Sequence, residues 1–430
     1  MFKPRDYQDR ISNDAVEILR QKKIVYLAMQ VRCGKTITAL ETCKKYNAKK
    51  VLFITKKKAI SSIELDYKNF GYKFDLTIIN DESLHKITDT DFDIVIHDEH
   101  HRFGAFPKPN ATAVLFKKKF GHLPMIFLSG TPTPESHSQW YHQFWVSNHS
   151  PFKDYTNFYK WANEYVDVVQ KNLGYAKVND YSNARKKDFW HRIRYYIISF
   201  TQQEAGFTTS VNEMVLECEM KPITYQIIKK LHKDLVVTSS VDGTQILADT
   251  GVKLQQKTHQ LFSGTIKFED GSFRVIDDTK AHFIKNSFEG KKIGIFYKFV
   301  AELEMLKSVF KETLTTDLDE FNATDKNIAL QIISGREGIS LAKADYLVFM
   351  NIDFSAVSYF QARDRLTTMA RKENTIFWVF SKSMNDLKSM EQEIYKSVLK
   401  KKDFTLNVFK KEFKINDKIK PIKSKRYNNI

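Results

Sequence analysis

Short apolar runs recur through the first third of the chain, at Ile24–Ala28, Val51–Ile54, Leu76–Ile79, Ile94–Ile96 and Met125–Leu128. Each is followed by polar or turn residues. Runs this short, β-rich and without alternation read as strands buried on both faces. Amphipathic stretches separate them, the pattern of a parallel sheet covered by helices. The pattern returns at Ile293–Phe296, Ile328–Ile333, Tyr346–Met350 and Ile376–Phe380. Between the first two of these, Phe299, Leu303, Leu306 and Phe310 share one helical face. From about Pro151 the chain turns aromatic- and Lys-rich, with helical spacing at Tyr225, Ile228, Leu231 and Leu235. A chain of 430 residues exceeds one ordinary core. The expectation is an α/β protein with two domains, 1–150 and 277–398, a mostly helical insertion over 151–276 and a basic tail over 399–430.

Hydrophobic residues at 42% and charged residues at 28% exclude a mainly disordered chain. The three cysteines, Cys33, Cys43 and Cys218, build neither a disulfide framework nor a four-Cys zinc site, so a reducing compartment is expected. No secretory core and no run of about 18 apolar residues is present, which points to a soluble, cytoplasmic protein. Lys and Arg number 68 against 51 Asp and Glu, a net charge of +17. Such a field attracts polyanions, nucleic acid first, although a Lys-rich proteome would produce the same excess.

The sharpest local signal is Val31-Arg32-Cys33-Gly34-Lys35-Thr36, between a strand-like and a helix-like run. In that context main-chain N–H groups can cradle phosphates, Lys35 can reach the β and γ oxygens, and the Thr36 hydroxyl can bind Mg²⁺. Met29 stands where the full phosphate-loop pattern has glycine. Alone, Gly-Lys-Thr is equally an ordinary strand-to-helix corner. About 60 residues on, the run Ile94–Ile96 leads into His97-Asp98-Glu99-His100-His101. A carboxylate at a strand's carboxyl end can hold Mg²⁺ and its neighbour can orient water, which gives Asp98 and Glu99 their candidate roles. Ser129 and Thr131 follow the next apolar run, where hydroxyls can sense a γ-phosphate.

In this order and spacing, Gly-Lys-Thr, Asp-Glu-His-His and Ser-Gly-Thr-Pro resemble motifs I, II and III of superfamily 2 helicases and translocases. Arg5-Asp6-Tyr7-Gln8 resembles that superfamily's adenine-reading segment, with Gln8 on the base. Thr55 and Lys56 fall in a segment similar to motif Ia, which touches the nucleic-acid backbone. Lys292–Tyr297 resembles motif IV, Ser334–Leu341 motif V, and Gln361-Ala362-Arg363-Asp364-Arg365 motif VI. Arg365 occupies the place of an arginine supplied across the cleft to the transferring phosphoryl group. Thr368 stands where a second arginine belongs, leaving Arg363 or Arg371 as substitutes. Within the superfamily the likeness is to the Swi/Snf-type group, in particular its compact phage-encoded members.

The resemblance implies two RecA-like domains that close on ATP and Mg²⁺. It implies catalytic roles for Lys35, Asp98, Glu99 and Arg365. It puts Gln8, Arg32, Cys33, Gly34, Lys35, Thr36, Gly338 and Arg363 on ATP, and Thr36 and Asp98 on the metal. Ser129 and Thr131 are then coupling residues, and Thr55, Lys56, Ser334 and Gly335 touch nucleic acid. The implied activity is ATP-driven movement on DNA, double-stranded or branched before single-stranded, with remodelling or branch migration as output. A 3′–5′ strand-unwinding helicase is the alternative. A basic nucleic-acid-binding scaffold with a vestigial nucleotide site is the alternative of another class. The cation–aromatic stretch Arg185–Tyr196 suits phosphate contact and base stacking, and equally an amphipathic helix with buried aromatics.

Overall fold

The computed structural model describes residues 2–172, 177–239, 243–332, 340–352, 362–368, 371–384, 387, 389–396 and 399. The chain forms two compact units, which divide between Ala205 and Gly206. Each is built on a six-stranded parallel sheet of RecA-like type.

The first unit contains α1 (Asp6–Lys22), β1 (Ile24–Met29), α2 (Lys35–Tyr46), β2 (Lys50–Thr55), α3 (Ile60–Phe70), β3 (Asp75–Asn80) and β4 (Ile94–His97). It continues with α4 (Ala111–Phe120), β5 (Met125–Leu128), α5 (Trp140–Trp145), α6 (Phe158–Tyr165), the hairpin β6 (Val169–Asn172) and β7 (Lys177–Asp180), α7 (Lys186–Ile193) and β8 (Ile197–Phe200). The sheet order is β3-β2-β4-β5-β1-β8. Every residue of β1, β4 and β5 is buried, so these strands need no polar face. The core stacks Tyr26, Val95 and Phe127 against Phe116, Trp140, Phe144, Phe152, Trp161 and Phe189.

The second unit contains β9 (Ser210–Cys218), α8 (Pro222–Asp234), β10 (Val236–Thr238), β11 (Gln245–Leu247), α9 (Gly251–Phe262), β12 (Thr265–Lys267), β13 (Phe273–Val275) and α10 (Thr279–Ser287). Then come β14 (Ile293–Tyr297), α11 (Val300–Phe310), β15 (Leu314–Thr315), α12 (Leu318–Ala323), β16 (Asn327–Gln331), β17 (Tyr346–Phe349) and β18 (Glu373–Ser381). The sheet order is β15-β16-β14-β17-β18-β9, again parallel throughout. Ile228, Leu231, Ile295, Met305, Leu306, Val348 and Val379 fill its core.

The expected boundaries at 150 and 277 do not coincide with these units. The stretch 151–276 is shared between them: β8 pairs with β1, and β9 pairs with β18 along nine residues. Its helices α6 and α7 bury Trp161 and Phe189 in the first core, and α8 buries Tyr225, Ile228 and Leu231 in the second. Among the described residues, no helix is long and apolar enough to cross a membrane.

Candidate active site

Because the first sheet is parallel, β1, β2, β4 and β5 all end on one edge. β5 lies between β1 and β4, so the loop after it faces both the turn after β1 and the acids after β4. This carboxyl edge is where parallel sheets receive ligands.

The turn after β1 is built around left-handed backbone at Arg32 (φ 64°) and Gly34 (φ 74°). A Cβ on Gly34 would lie 2.0 Å from Gln8 Nε2, so any other residue must both adopt the left-handed angle and displace the Gln8 amide. Gly34, the N-cap of α2, offers no side-chain cap to the helix's first N–H groups, which are the donors an anion at that end would meet. The Lys35 ammonium donates to the carbonyls of Met29 (3.2 Å) and Gln30 (3.4 Å), which holds it across the turn. Gln8 accepts from Arg5 N–H (2.8 Å) and donates to the Gly34 carbonyl (3.4 Å), so the N-terminal segment is tied to the same turn. Cys33 is fully buried, and its N–H donates to the Gln30 carbonyl (3.3 Å).

Asp98 and Glu99 follow β4 directly. Thr55 Oγ donates to Asp98 (3.0 Å), and Glu99 N–H donates to the other Asp98 oxygen (2.9 Å). Burial, and then the charge of Glu99, hold the Asp98 carboxyl above its ordinary range, while Lys35 opposes them. Glu99 sits in left-handed backbone (φ 48°) with its carboxylate 3.2 Å from His101 Nδ1. The same His101 nitrogen lies 3.0 Å from Ser129 Oγ, which accepts from Thr131 N–H (3.1 Å). The structure thus brings Lys35, Asp98, Glu99, Ser129 and Thr131 to one place. Thr131 Oγ is buried without a hydrogen-bond partner among the described residues. An orphan hydroxyl and a crowded carboxylate pair are groups that phosphate oxygens and a cation would satisfy.

Thr55, expected to face nucleic acid, is instead buried beneath Asp98. Residues without a recognisable motif also shape the site. Gln30 N–H donates to the Phe200 carbonyl (2.9 Å), and the Gln202 side chain donates to the Val31 carbonyl (3.0 Å), so β8 braces the phosphate turn. Tyr7 stacks on Phe200 at 4.7 Å. Behind the acids, Asp81 binds His97 (2.9 Å) and the Arg102 guanidinium. Burial would raise the Asp81 carboxyl, but these cationic and hydrogen-bonded partners hold it below its usual range. Only recognition of Ile197–Phe200 as a strand would have led to Phe200 and Gln202.

In the second unit, Ser334, Gly335 and Gly338 lie outside the described residues. Arg363 lies 3.9 Å from Glu213, and the Arg365 carbonyl accepts from Leu341 N–H (2.9 Å). Arg371, one of the two expected substitutes, turns its guanidinium onto its own unit. Its guanidinium caps the carbonyls of Ala342 (3.3 Å), Ala344 (2.7 Å), Asp345 (2.6 Å) and Glu373 (3.1 Å), which fixes the turn before β17.

Along Arg185–Tyr196 the amphipathic reading accounts for most residues. Phe189, Trp190 and Ile193 are buried. Arg185 pairs with Asp167 and Asp188, and Arg192 with Asp154. Tyr195 stays exposed, with the Arg194 guanidinium 4.5 Å from its ring.

Residues 1–75 match the family model described as "Type III restriction enzyme, res subunit". No curated protein matches the chain. Among solved structures, the SWI2/SNF2 ATPase core of Sulfolobus solfataricus in complex with dsDNA is similar at 15% identity and a TM-score of 0.42, over 97% of this chain and 95% of that one. The Sulfolobus solfataricus SWI2/SNF2 ATPase core domain gives 15% and 0.43, over 95% and 90%. At these values the likeness adds nothing to the strand order itself.

Proposed function

We propose that the chain is an ATP-dependent DNA translocase of the superfamily 2, Swi/Snf type, with remodelling or branch migration of duplex or branched DNA as its output. The convergence of Lys35, the Asp98–Glu99 pair and the His101–Ser129 contact on one sheet edge carries this reading. Main-chain N–H groups of the turn after β1, from Arg32, Cys33 and Gly34, receive phosphate oxygens, and Lys35 moves from its carbonyl contacts onto the β and γ oxygens. Gln8, tied to the same turn, reads the adenine. Thr36 and Asp98 would hold Mg²⁺, which would supply charge neutralisation at the phosphates. Glu99 orients the attacking water and takes its proton. Ser129, held to Glu99 through His101, and Thr131 report the state of the γ-phosphate. From the second unit, Gly338, Arg363 and Arg365 are assigned to ATP by the motif resemblance, and Ser334 and Gly335, with Lys56, to the DNA backbone.

The test is ATP hydrolysis with and without duplex DNA, for wild type, Lys35→Ala and Glu99→Gln. Wild type should turn over ATP faster with DNA. Lys35→Ala should be inactive, since an ammonium on the γ-phosphate acts on the transition state and not on core packing. Glu99→Gln should bind ATP and turn it over at least roughly a hundredfold more slowly. Wild-type turnover no faster than that of Lys35→Ala would overturn the reading.

A further inference from the structure

Gln143, on α5, belongs to none of the motifs, yet it meets three of the segments that carry them. It is fully buried. Its side-chain oxygen accepts from the Tyr26 hydroxyl of β1 at 2.7 Å. Its side-chain nitrogen donates to the Pro132 carbonyl, just past Ser129–Thr131, at 2.8 Å, and to the Gln139 carbonyl at 3.1 Å. Its main-chain carbonyl lies 2.8 Å from His100 Nε2, directly after Asp98–Glu99. A carbonyl only accepts, so His100 donates there. His100 stacks flat on Phe127 of β5 at 3.6 Å, and Tyr26 packs edge-on to His100 at 5.8 Å. The side-chain amide thus has both its oxygen and its nitrogen engaged by protein groups.

We propose that Gln143 is a positioning residue that locks the strand leading to Lys35, the turn carrying Asp98 and Glu99, and the Ser129–Thr131 loop into one register. The inference rests on the ATPase reading above. Core packing alone would ask for an apolar side chain at this place. A glutamine there costs desolvation unless each polar atom is engaged. Here each one engages a different segment of the site. The direct link between acids and loop runs through His101 and Ser129. Gln143 forms a second link behind the sheet edge; both reach the phosphate-loop strand, the first through Ser129 N–H on the Leu27 carbonyl (3.3 Å) and the second through Tyr26. A shift of the Pro132 carbonyl therefore moves the partner of Tyr26, three residues before Met29, whose carbonyl holds Lys35.

The experiment measures kcat and KM for ATP, with and without duplex DNA, in wild type, Gln143→Glu, Tyr26→Phe and Phe144→Leu, together with thermal unfolding of each. Gln143→Glu keeps the shape and the acceptor for Tyr26 but loses the donor to Pro132. Its kcat should fall roughly ten- to hundredfold with KM within about threefold of wild type, because misplacement acts on the transition-state geometry. Tyr26→Phe deletes one hydroxyl and should lower kcat in the same direction by a smaller factor. Phe144→Leu loosens the core beside Tyr26, whose ring it meets at 6.1 Å, but removes none of the hydrogen bonds of the tie, so its folded fraction should retain wild-type kcat. If Gln143→Glu and Tyr26→Phe lose activity only in proportion to their unfolded fraction, Gln143 is a packing residue and the inference fails alone. It also fails alone if Phe144→Leu loses as much kcat as they do. If wild type turns over no faster than Lys35→Ala, the ATPase reading fails and takes the inference with it.

Discussion

At Gly34 two independent constraints work against a side chain. Its φ of 74° would cost an L residue roughly 1–2 kcal/mol, and a Cβ would meet Gln8 Nε2 at 2.0 Å. Gln8 cannot yield without breaking its bonds to Arg5 and Gly34. Gly34→Ala should therefore weaken ATP binding at least about tenfold by titration with a fluorescent ATP analogue. Adding Gln8→Ala relieves the clash but not the angle, so the double variant should recover only part of the lost thermal stability. Gly130 makes the contrast: a Cβ there finds its nearest neighbour at 3.5 Å, and Gly130→Ala should leave thermal stability almost unchanged. Residues of this kind were legible in the sequence because their chemistry is local. Gly34, Lys35, Asp98 and Glu99 sit in short strings whose order encodes their meeting. Gln143, Gln202 and Asp81 reach the site from distant segments, and nothing adjacent to them in sequence marks the contact. Thr55 shows the converse: its place in a motif suggested nucleic acid, but the end of β2 turns it under Asp98.

Strands buried on both faces announce themselves, and the apolar runs locate β1, β2, β4, β5, β14, β17 and β18 within a few residues. β9 does not. It is an edge strand carrying Asn212, Glu213 and Glu217, with Met214 and Val215 exposed, so no apolar run marks it. β8 is four residues long and follows directly on a helix-like stretch. Missing these two strands is what made 151–276 read as an insertion. The elements that replace it are pinned by polar residues, foremost Asp277. Its carboxylate accepts from Lys221 N–H (2.7 Å) and Thr224 Oγ (2.7 Å) at the start of α8, and from Thr279 N–H (3.0 Å) and Thr279 Oγ (2.6 Å) at the start of α10. Burial would raise this carboxyl, but the hydrogen bonds prevail and hold it below its ordinary range. A depressed folded-state value means stability that is present above the unfolded value, about 3.9, and lost as pH falls through the folded one. Asp277→Asn should destabilise the full chain by on the order of 3 kcal/mol at pH 7 in urea unfolding. That difference should shrink below about pH 4. A constant difference across that window would show that the carboxylate's charge is not what holds the two helices.

For the chain as a whole, the dominant quantity is its charge. Of the net +17, the segment 401–430 holds ten Lys and Arg against three Asp and Glu. Two basic stretches differ in how many acids accompany them. Around Arg185–Arg192, three acids pair with the two guanidinium groups and offset their charge. Lys418, Lys420, Lys423, Lys425 and Arg426 have only Asp417 close by in sequence. Binding that releases condensed counterions scales with the number of phosphates neutralised, and contact with about 6–10 phosphates loses roughly three to five powers of ten between 50 and 200 mM salt. Fluorescence anisotropy with a labelled duplex should show such a slope for the intact protein. Replacing those five cations with glutamine should make the slope shallower by about 0.9 for each phosphate no longer neutralised. ATP turnover in saturating DNA should stay intact, because the five positions lie outside the nucleotide site proposed above. An unchanged slope would place the charge-dependent contacts on the two folded units instead, and a flat slope in the intact protein would remove nucleic acid as the partner that the charge implies.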